Sequence, residues 1–486
     1  MTGAVVIAAP CSGSGKTTVA TGLIAALRAR GLRVAPFKVG PDYIDPGYHT
    51  LAAGRPGRNL DPVLVGEDLV GPLYAHGTLG ADLAVVEGVM GLFDGRIGHP
   101  AGGAAGTTGG VDFGSTAHVA GLLGAPVLLV VDGRGHGTSL AALLHGFRSW
   151  RPEVRIAGVV LNRVGSARHE LVLRDACAEV GLPVFGALPR LSDVDVPARH
   201  LGLVPAAEHG TAAVRAVNAM AALVARSVDL DGVVRLAEAG VHSAPWQPGL
   251  QPVTGSPVVA VAGGAAFTFG YAEHVELLRA AGATVAVVDP LRDNQLPDGT
   301  AGLVLPGGFP EQHAAELSGN TALRSAVAAA VRAGLPVHAE CGGLLYLARR
   351  LDALPMCGVL EADAEMTGRL TLGYRDAVAP TDSILHPAGS RVTGHEFHRT
   401  AVTPPHGRTP AWSWRDEAGN PRSEGFLAGS VHASYLHTHP AGDAASVARF
   451  MARCAARSNS TANVMPSVAQ STAWVPSEAI RNSHSA

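Results

Sequence analysis

The sequence predicts an α/β protein built from two consecutive doubly wound domains. Short runs of β-branched residues alternate with amphipathic helical patterns, and the alternation resumes after a break in the middle of the chain. In addition, each half carries a Gly-rich turn between a strand and a helix. Continuous apolar strands separated by helices read as parallel sheets covered on both faces.

In the first half, Ala4–Ala9 reads as a buried strand, Lys16–Arg30 as an amphipathic helix and Val34–Val39 as a second strand. Further strands are expected at Leu83–Glu87, Pro126–Asp132, Ile156–Asn162 and Val184–Leu188. The rhythm is lost over residues 227–256, which read as a linker ending in the Pro-rich stretch Pro245–Pro257. The second series places strands at Val258–Ala262, Thr284–Val288, Gly302–Pro306 and Pro336–Ala339, with helices at Tyr271–Ala281 and Leu323–Ala333. The expected division is therefore a phosphate-loop domain over 1–226, a linker over 227–256 and a second domain over 257–457. A Ser/Ala/Asn-rich tail without period follows over 458–486.

Composition narrows the function. With 47% hydrophobic and 16% charged residues, the 486-residue chain can bury a large core. A net charge of −3 leaves no electrostatic footprint for nucleic acid, so an anionic ligand has to be met by local cations. The five cysteines form no Cys-x-x-Cys pair, which argues against a disulfide framework and a structural zinc site. No apolar run reaches membrane-spanning length and the chain opens directly on a strand, so a cytoplasmic protein is expected. Gly394-His395-Glu396-Phe397-His398 has one residue too few between its histidines for the helical zinc pair, and no metal is expected there.

Two segments carry chemistry. Ala9-Pro10-Cys11-Ser12-Gly13-Ser14-Gly15-Lys16-Thr17-Thr18 lies between a strand and a helix, as a phosphate loop requires, although Pro10 stands where the pattern has its first Gly. Gly13, Ser14, Gly15, Lys16, Thr17 and Thr18 are the expected phosphate binders of ATP. Asn162, at a strand end, is expected to read the adenine edge. Thr17, Asp42 and Glu87 are candidates to hold Mg²⁺, while Lys38, Asp45 and Asp94 are candidates to orient an incoming carboxylate. In the second half, Pro336-Val337-His338-Ala339-Glu340-Cys341-Gly342-Gly343 reads as strand, sharp turn and helix. A thiol at a helix N-terminus is expected to favour thiolate. Gly308, in Pro306-Gly307-Gly308-Phe309-Pro310-Glu311, and Gly342 are candidate oxyanion donors. His432-Ala433-Ser434-Tyr435-Leu436-His437-Thr438-His439 supplies candidate bases far along the chain.

The sequence resembles the cobyrinate/hydrogenobyrinate a,c-diamide synthases over everything except the tail. The resemblance rests on Pro36–His49, Arg58-Asn59-Leu60-Asp61, Glu87–Gly95, Pro306–Glu311, Ala339–Leu344 and Gly394–His398, in the family's order. It implies a dethiobiotin-synthetase-like ATP domain fused to a class I glutamine amidotransferase domain. Cys341 then matches the nucleophile and His437 its activating base. His439 stands where ordinary class I enzymes carry a Glu that orients the base, which leaves the orienting group open. ATP and L-glutamine are the implied co-substrates, and a corrinoid with carboxylates at positions a and c, with or without cobalt, is the implied acceptor. Arg55, Arg58 and Arg96 are hypothetical partners for its carboxylates. A homodimer is one assembly this reading allows, though no motif decides it. The rival readings are a cobyric acid synthase, which the Val-Gly-Pro-Asp-Tyr-Ile-Asp run disfavours, and a catalytically inert nucleotide switch.

Overall fold

The computed structural model describes residues 2–97, 112–190, 210–237 and 243–462. In the first half, β1 (Gly3–Ala8), β2 (Val34–Val39), β3 (Arg58–Leu60), β4 (Leu83–Glu87), β5 (Val127–Asp132), β6 (Ile156–Val164) and β7 (Val184–Pro189) form one sheet of order β3-β2-β4-β1-β5-β6-β7. Every pairing in it is parallel. β1, β2 and β4 are buried along their whole length, which explains why they read as apolar runs broken only by Lys38 and Glu87. The register sets Ile7 and Lys38 on either side of Glu87, so three neighbouring strands end together at the phosphate loop. Ligands of open α/β sheets bind at such carboxyl ends.

The second half is also wound around a mainly parallel sheet. β8 (Val258–Ala262), β9 (Thr284–Val288), β10 (Thr300–Leu305) and β11 (Val337–Glu340) are joined by two late strands, β18 (Phe426–Ala428) and β19 (Val431–Ser434), in the order β18-β19-β11-β10-β8-β9. Between β11 and these late strands lies a third sheet. It contains the short strands β12 (Arg350–Leu351) and β13 (Leu354–Pro355), the long hairpin of β14 (Asp363–Val378) and β15 (Arg391–Thr403), and the pair β16 (Trp412–Arg415) and β17 (Pro421–Glu424). This sheet was absent from the sequence reading. Its longest strand, β14, alternates weakly and is half exposed, so its period is a poor signal of burial.

Two boundary expectations differ in detail. The helix Leu230–Leu236, capped by the Asp229 side chain, lies inside the expected linker. The helix Ala444–Ala462 runs five residues into the expected tail, whose remaining residues lie outside the described ones. Among the described residues no helix is long and apolar enough to cross a membrane.

The halves are joined by specific polar contacts. Arg58 of β3 pairs with Glu273 at 2.6 Å and with Glu276, and His76 meets Glu276 at 3.0 Å. Arg96 pairs with Asp376 at 2.7 Å and the Tyr374 hydroxyl donates to Asp61 at 2.9 Å.

Candidate active site

The phosphate loop folds as expected. Gly13 and Gly15 take φ of +79° and +98°. A Cβ on Gly15 would lie 2.1 Å from Asn162 Nδ2, so the side chain that supports the loop also excludes any larger residue there. Asn162 itself departs from its expected role. Its Nδ2 donates to Ser14 O at 2.9 Å, which braces the loop, and its Oδ1 accepts from the N–H of the next residue, Arg163, so both polar ends have partners within the chain. Lys16 Nζ donates to the Met90 and Cys11 carbonyls, and burial and the nearby Lys38 charge pull its pKa down.

Behind the loop lies a buried cluster of charges. Lys38 is 3% exposed, Asp45 5% and Glu87 0%. Lys38 Nζ donates to Asp45 at 2.6 Å and to Glu87 at 2.9 Å, and lies 3.7 Å from Asp42. Thr17 Oγ1 donates to Glu87 at 2.7 Å and to Asp45 at 3.3 Å. A further contact, 2.7 Å between His49 Nε2 and Glu87, had no signal in the sequence beyond its place in the Pro36–His49 run. Burial disfavours charge on Glu87, but Lys38, His49 and Thr17 outweigh it and hold this carboxylate below its ordinary range. Burial and the charges of Asp42 and Glu87 push Asp45 upward. Thus Thr17, Lys38, Asp45 and Glu87 are brought together, with Asp42 at the edge. Asp42 Oδ1 mainly caps its own loop, accepting the N–H groups of Ile44 and Asp45. Asp94 is exposed and caps the turn at the Gly91 N–H, apart from the cluster.

The arginines also depart from expectation. Arg58 and Arg96 are consumed by the ion pairs across the halves, and Arg55 donates to the Gly77 and Leu79 carbonyls. A cation already saturated by carboxylates has little left to offer a further one.

The thiol site sits at the carboxyl ends of β11 and β19, whose register pairs Glu340 with Ser434. Cys341 follows at once with φ of +45°, a region that L-residues adopt only when the surrounding structure imposes it. Its N–H donates to Ser434 O at 2.7 Å, and a Cβ on Gly343 would lie 2.2 Å from Leu305 O, so only glycine lets this turn lie against β10. The Gly342 and Gly308 backbones are in close approach, with Gly308 N 2.9 Å from where a Gly342 Cβ would stand. The expectation of a thiolate is overturned. Cys341 is 3% exposed, and burial together with the Glu311 charge raises its pKa well above that of a free thiol, while the Gly342 N–H opposes this only in part. The short helix Gly342–Leu347 is too weak a dipole to overcome desolvation.

His437 is wholly buried, and among the described residues neither of its ring nitrogens has a hydrogen-bond partner. The carboxylate nearest to it among the ion pairs is Glu340, whose Oε2 lies 3.7 Å from Nδ1. Glu340 also accepts from the Thr438 N–H at 3.2 Å and lies 3.4 Å from His338. Burial disfavours its charge, yet His338 and His437 hold its pKa well below the ordinary value. The group that faces the base therefore comes from the residue before the nucleophile, not from the position two after the histidine. His439 instead packs its ring 4.1 Å from that of Tyr271.

The His395–His398 segment is a strand, not a metal helix. His395 exchanges both backbone hydrogen bonds with His437, the Phe397 carbonyl lies 3.8 Å from Cys341 Sγ, Glu396 pairs with Arg375 at 2.7 Å, and His398 stacks on Tyr435. It is a wall of the thiol site, which two-residue alternation around a Phe could have suggested.

Two family models match the chain: a CobQ/CobB/MinD/ParA nucleotide binding domain over residues 5–204 and a CobB/CobQ-like glutamine amidotransferase domain over 258–445. The hydrogenobyrinate a,c-diamide synthase of Mycobacterium bovis is 60% identical over 93% of this chain and 98% of its own length. The chain belongs to the a,c-diamide synthase family. The Streptomyces coelicolor member named hydrogenobyrinate a,c-diamide synthase is 56% identical over 92% of this chain and 97% of its own. The Gloeobacter violaceus member, named cobyrinate a,c-diamide synthase, is 44% identical over 93% and 97%. Family membership accounts for both clusters. The phosphate loop and charge cluster lie in the nucleotide binding match, and Cys341 and His437 lie in the amidotransferase match.

Proposed function

We propose that this chain amidates the a and c carboxylates of hydrogenobyrinic acid, using ATP to activate each carboxylate and glutamine to supply the nitrogen. Family membership and the amidotransferase match make it a glutamine-dependent amide-forming ligase of cobalamin biosynthesis. The metal-free macrocycle is favoured because the relatives at 60% and 56% identity carry the hydrogenobyrinate name and the relative at 44% the cobyrinate name.

The observation that carries this reading is that the two clusters face each other. Tyr43, between Asp42 and Asp45 of the first half, packs its ring 4.8 Å from that of His437 in the second. In the first cluster a carboxylate oxygen of the acceptor attacks the γ-phosphorus of ATP, which gives an acyl phosphate and ADP. Lys16, which contacts only carbonyl oxygens, offsets the charge of the transferred group, and Lys38 holds the Asp45 and Glu87 carboxylates in place beside it. The oxygen donors Thr17, Asp42, Asp45 and Glu87 suit a hard cation, and Mg²⁺ commonly takes one or two carboxylates and completes its shell with phosphate oxygens. When bound, Mg²⁺ would neutralise phosphate charge. Asp94 braces the turn that follows Glu87, accepting from the Gly91 N–H.

In the second cluster His437 takes the Cys341 proton as sulfur attacks the glutamine amide. The Gly308 and Gly342 N–H groups face the oxyanion, and Glu340 stabilises the imidazolium. The imidazolium returns its proton to the leaving ammonia, and water then releases glutamate from the thioester. Ammonia attacks the acyl phosphate, and phosphate leaves. The high thiol pKa fits this sequence, because proton transfer is deferred until substrate binds.

The test is product mass from purified protein given ATP, glutamine and either macrocycle. Two amidations of hydrogenobyrinic acid are expected. Cys341→Ser should abolish the glutamine-driven reaction and keep the ammonia-driven one. A protein that amidates neither macrocycle with either nitrogen source overturns the reading and restores the inert switch; amidation of cobyrinic acid alone overturns the choice of macrocycle.

A further inference from the structure

The mechanism leaves one buried aromatic residue unused. Tyr43 lies in the loop Gly40-Pro41-Asp42-Tyr43-Ile44-Asp45, which follows β2 and carries the carboxylates that meet Lys38 and Thr17. The loop is stiff. Asp42 Oδ1 accepts two of its N–H groups, and Asn59 Nδ2 donates to the Gly40 and Asp42 carbonyls at 2.8 and 2.7 Å. Between these two carboxylates the Tyr43 ring turns the other way, into the second half. It stacks on Phe269 with centroids 5.1 Å apart, lies 4.8 Å from the His437 ring, and shares a 2.8 Å hydrogen bond between its hydroxyl and that of Tyr271. Among the described residues His437 has no hydrogen-bond partner for either ring nitrogen, so its orientation depends on the Glu340 charge at 3.7 Å and on the rings packed against it. One of those rings belongs to the nucleotide half.

We propose that Tyr43 is a positioning residue through which the state of the phosphate and cation site in the first half sets the orientation of His437 in the second. This rests on the reading that Cys341 and His437 form the glutaminase pair. Asp45 and Lys38 are in direct contact in the free protein. A nucleotide with its cation competes for the same carboxylates, and any resulting shift of the stiff loop reaches the Tyr43 ring intact. Displacement of a catalytic group by about 1 Å can cost two decades in rate, so a small shift suffices to make glutamine hydrolysis depend on the other site. The device would limit the release of ammonia when no acyl phosphate can form.

The test uses the full chain with Tyr43→Ala and Tyr43→Phe. Three readouts are taken with and without a non-hydrolysable ATP analogue and Mg²⁺: kcat and KM for glutamine hydrolysis, the rate of Cys341 alkylation by iodoacetamide, and amidation driven by ammonia. In the wild type the nucleotide should change both kcat and the alkylation rate. Tyr43→Ala should lose that response and lower kcat for glutamine by about tenfold to a hundredfold with little change in KM. Tyr43→Phe, which keeps the ring and loses only the hydroxyl contact, should retain most of the response. Nucleotide dependence equal to wild type in folded Tyr43→Ala overturns the proposal. So does ammonia-driven amidation that falls as steeply as glutamine hydrolysis, because Tyr43 would then serve the acceptor through the apolar cavity of about 800 Å³ it lines with Ile44, Leu51 and Val214. Should Tyr43→Ala not fold, Tyr43→Leu, which keeps apolar bulk and removes the ring, takes its place: loss of the nucleotide response supports the proposal and a wild-type response overturns it. Wild-type glutamine hydrolysis that survives Cys341→Ser would instead sink the underlying glutaminase reading.

Discussion

Glu340→Gln isolates the charge that faces the base without changing side-chain size. The carboxylate lies 3.7 Å from His437 Nδ1, and at an effective dielectric constant of about 20 a full imidazolium–carboxylate pair at that distance is worth about 4.5 kcal/mol. That sets an upper limit of roughly three decades in rate at 1.4 kcal/mol per decade. The contact is longer than a hydrogen bond, and Glu340 also serves Thr438 and His338, so a loss of about ten- to a hundredfold in kcat is the expected result. The glutamine carbon skeleton makes no contact argued to involve this carboxylate, so KM should stay within a few-fold. The assay is steady-state glutamate formation, run beside ammonia-driven amidation as an internal control. If kcat is within twofold of the wild type while the control is intact, Glu340 does not stabilise the imidazolium. The orienting group would then have to be sought elsewhere.

Three further outcomes follow from the buried charges. Lys38→Met leaves Asp45 and Glu87 buried without their cation, which should destabilise the first half by about 3–5 kcal/mol and abolish both nitrogen-source activities, read by denaturant unfolding and product mass. Arg58→Ala leaves Glu273 without its cation and Glu276 with His76 alone; it should lower Tm by several degrees while leaving KM for the corrinoid within twofold, since its guanidinium is already occupied. Glu424 is buried, and desolvation raises its pKa to about 8 despite donors from Tyr435 N and Ser434. Because the folded value exceeds the unfolded one, near 4.5, its contribution is fully present below about pH 4.5 and is lost as pH rises to about 8. Glu424→Gln should therefore raise Tm more at pH 8 than at pH 5, and an equal effect at both would refute the burial argument.

The sequence by itself determined the two parallel cores, because strands buried on both faces must be largely apolar, as β1, β2 and β4 are apart from Lys38 and Glu87. It also determined the phosphate loop and the Cys-Gly-Gly turn, because the φ of +98° at Gly15 and the Leu305 carbonyl beside Gly343 leave glycine no substitute. Those features are local, and their signal lies within ten residues. Only the tertiary structure decided which ionisable groups are free to act. Arg58 and Asn162 sit at plausible ligand positions, yet the fold gives each of them a partner in the chain. Cys341 lies at a helix N-terminus, yet burial raises its pKa. Glu340 faces His437, although 97 positions of sequence separate them, and Tyr43 spans the two halves to reach the same ring. Desolvation and Coulomb energies depend on distances through space, and residue order does not encode those until the chain has packed.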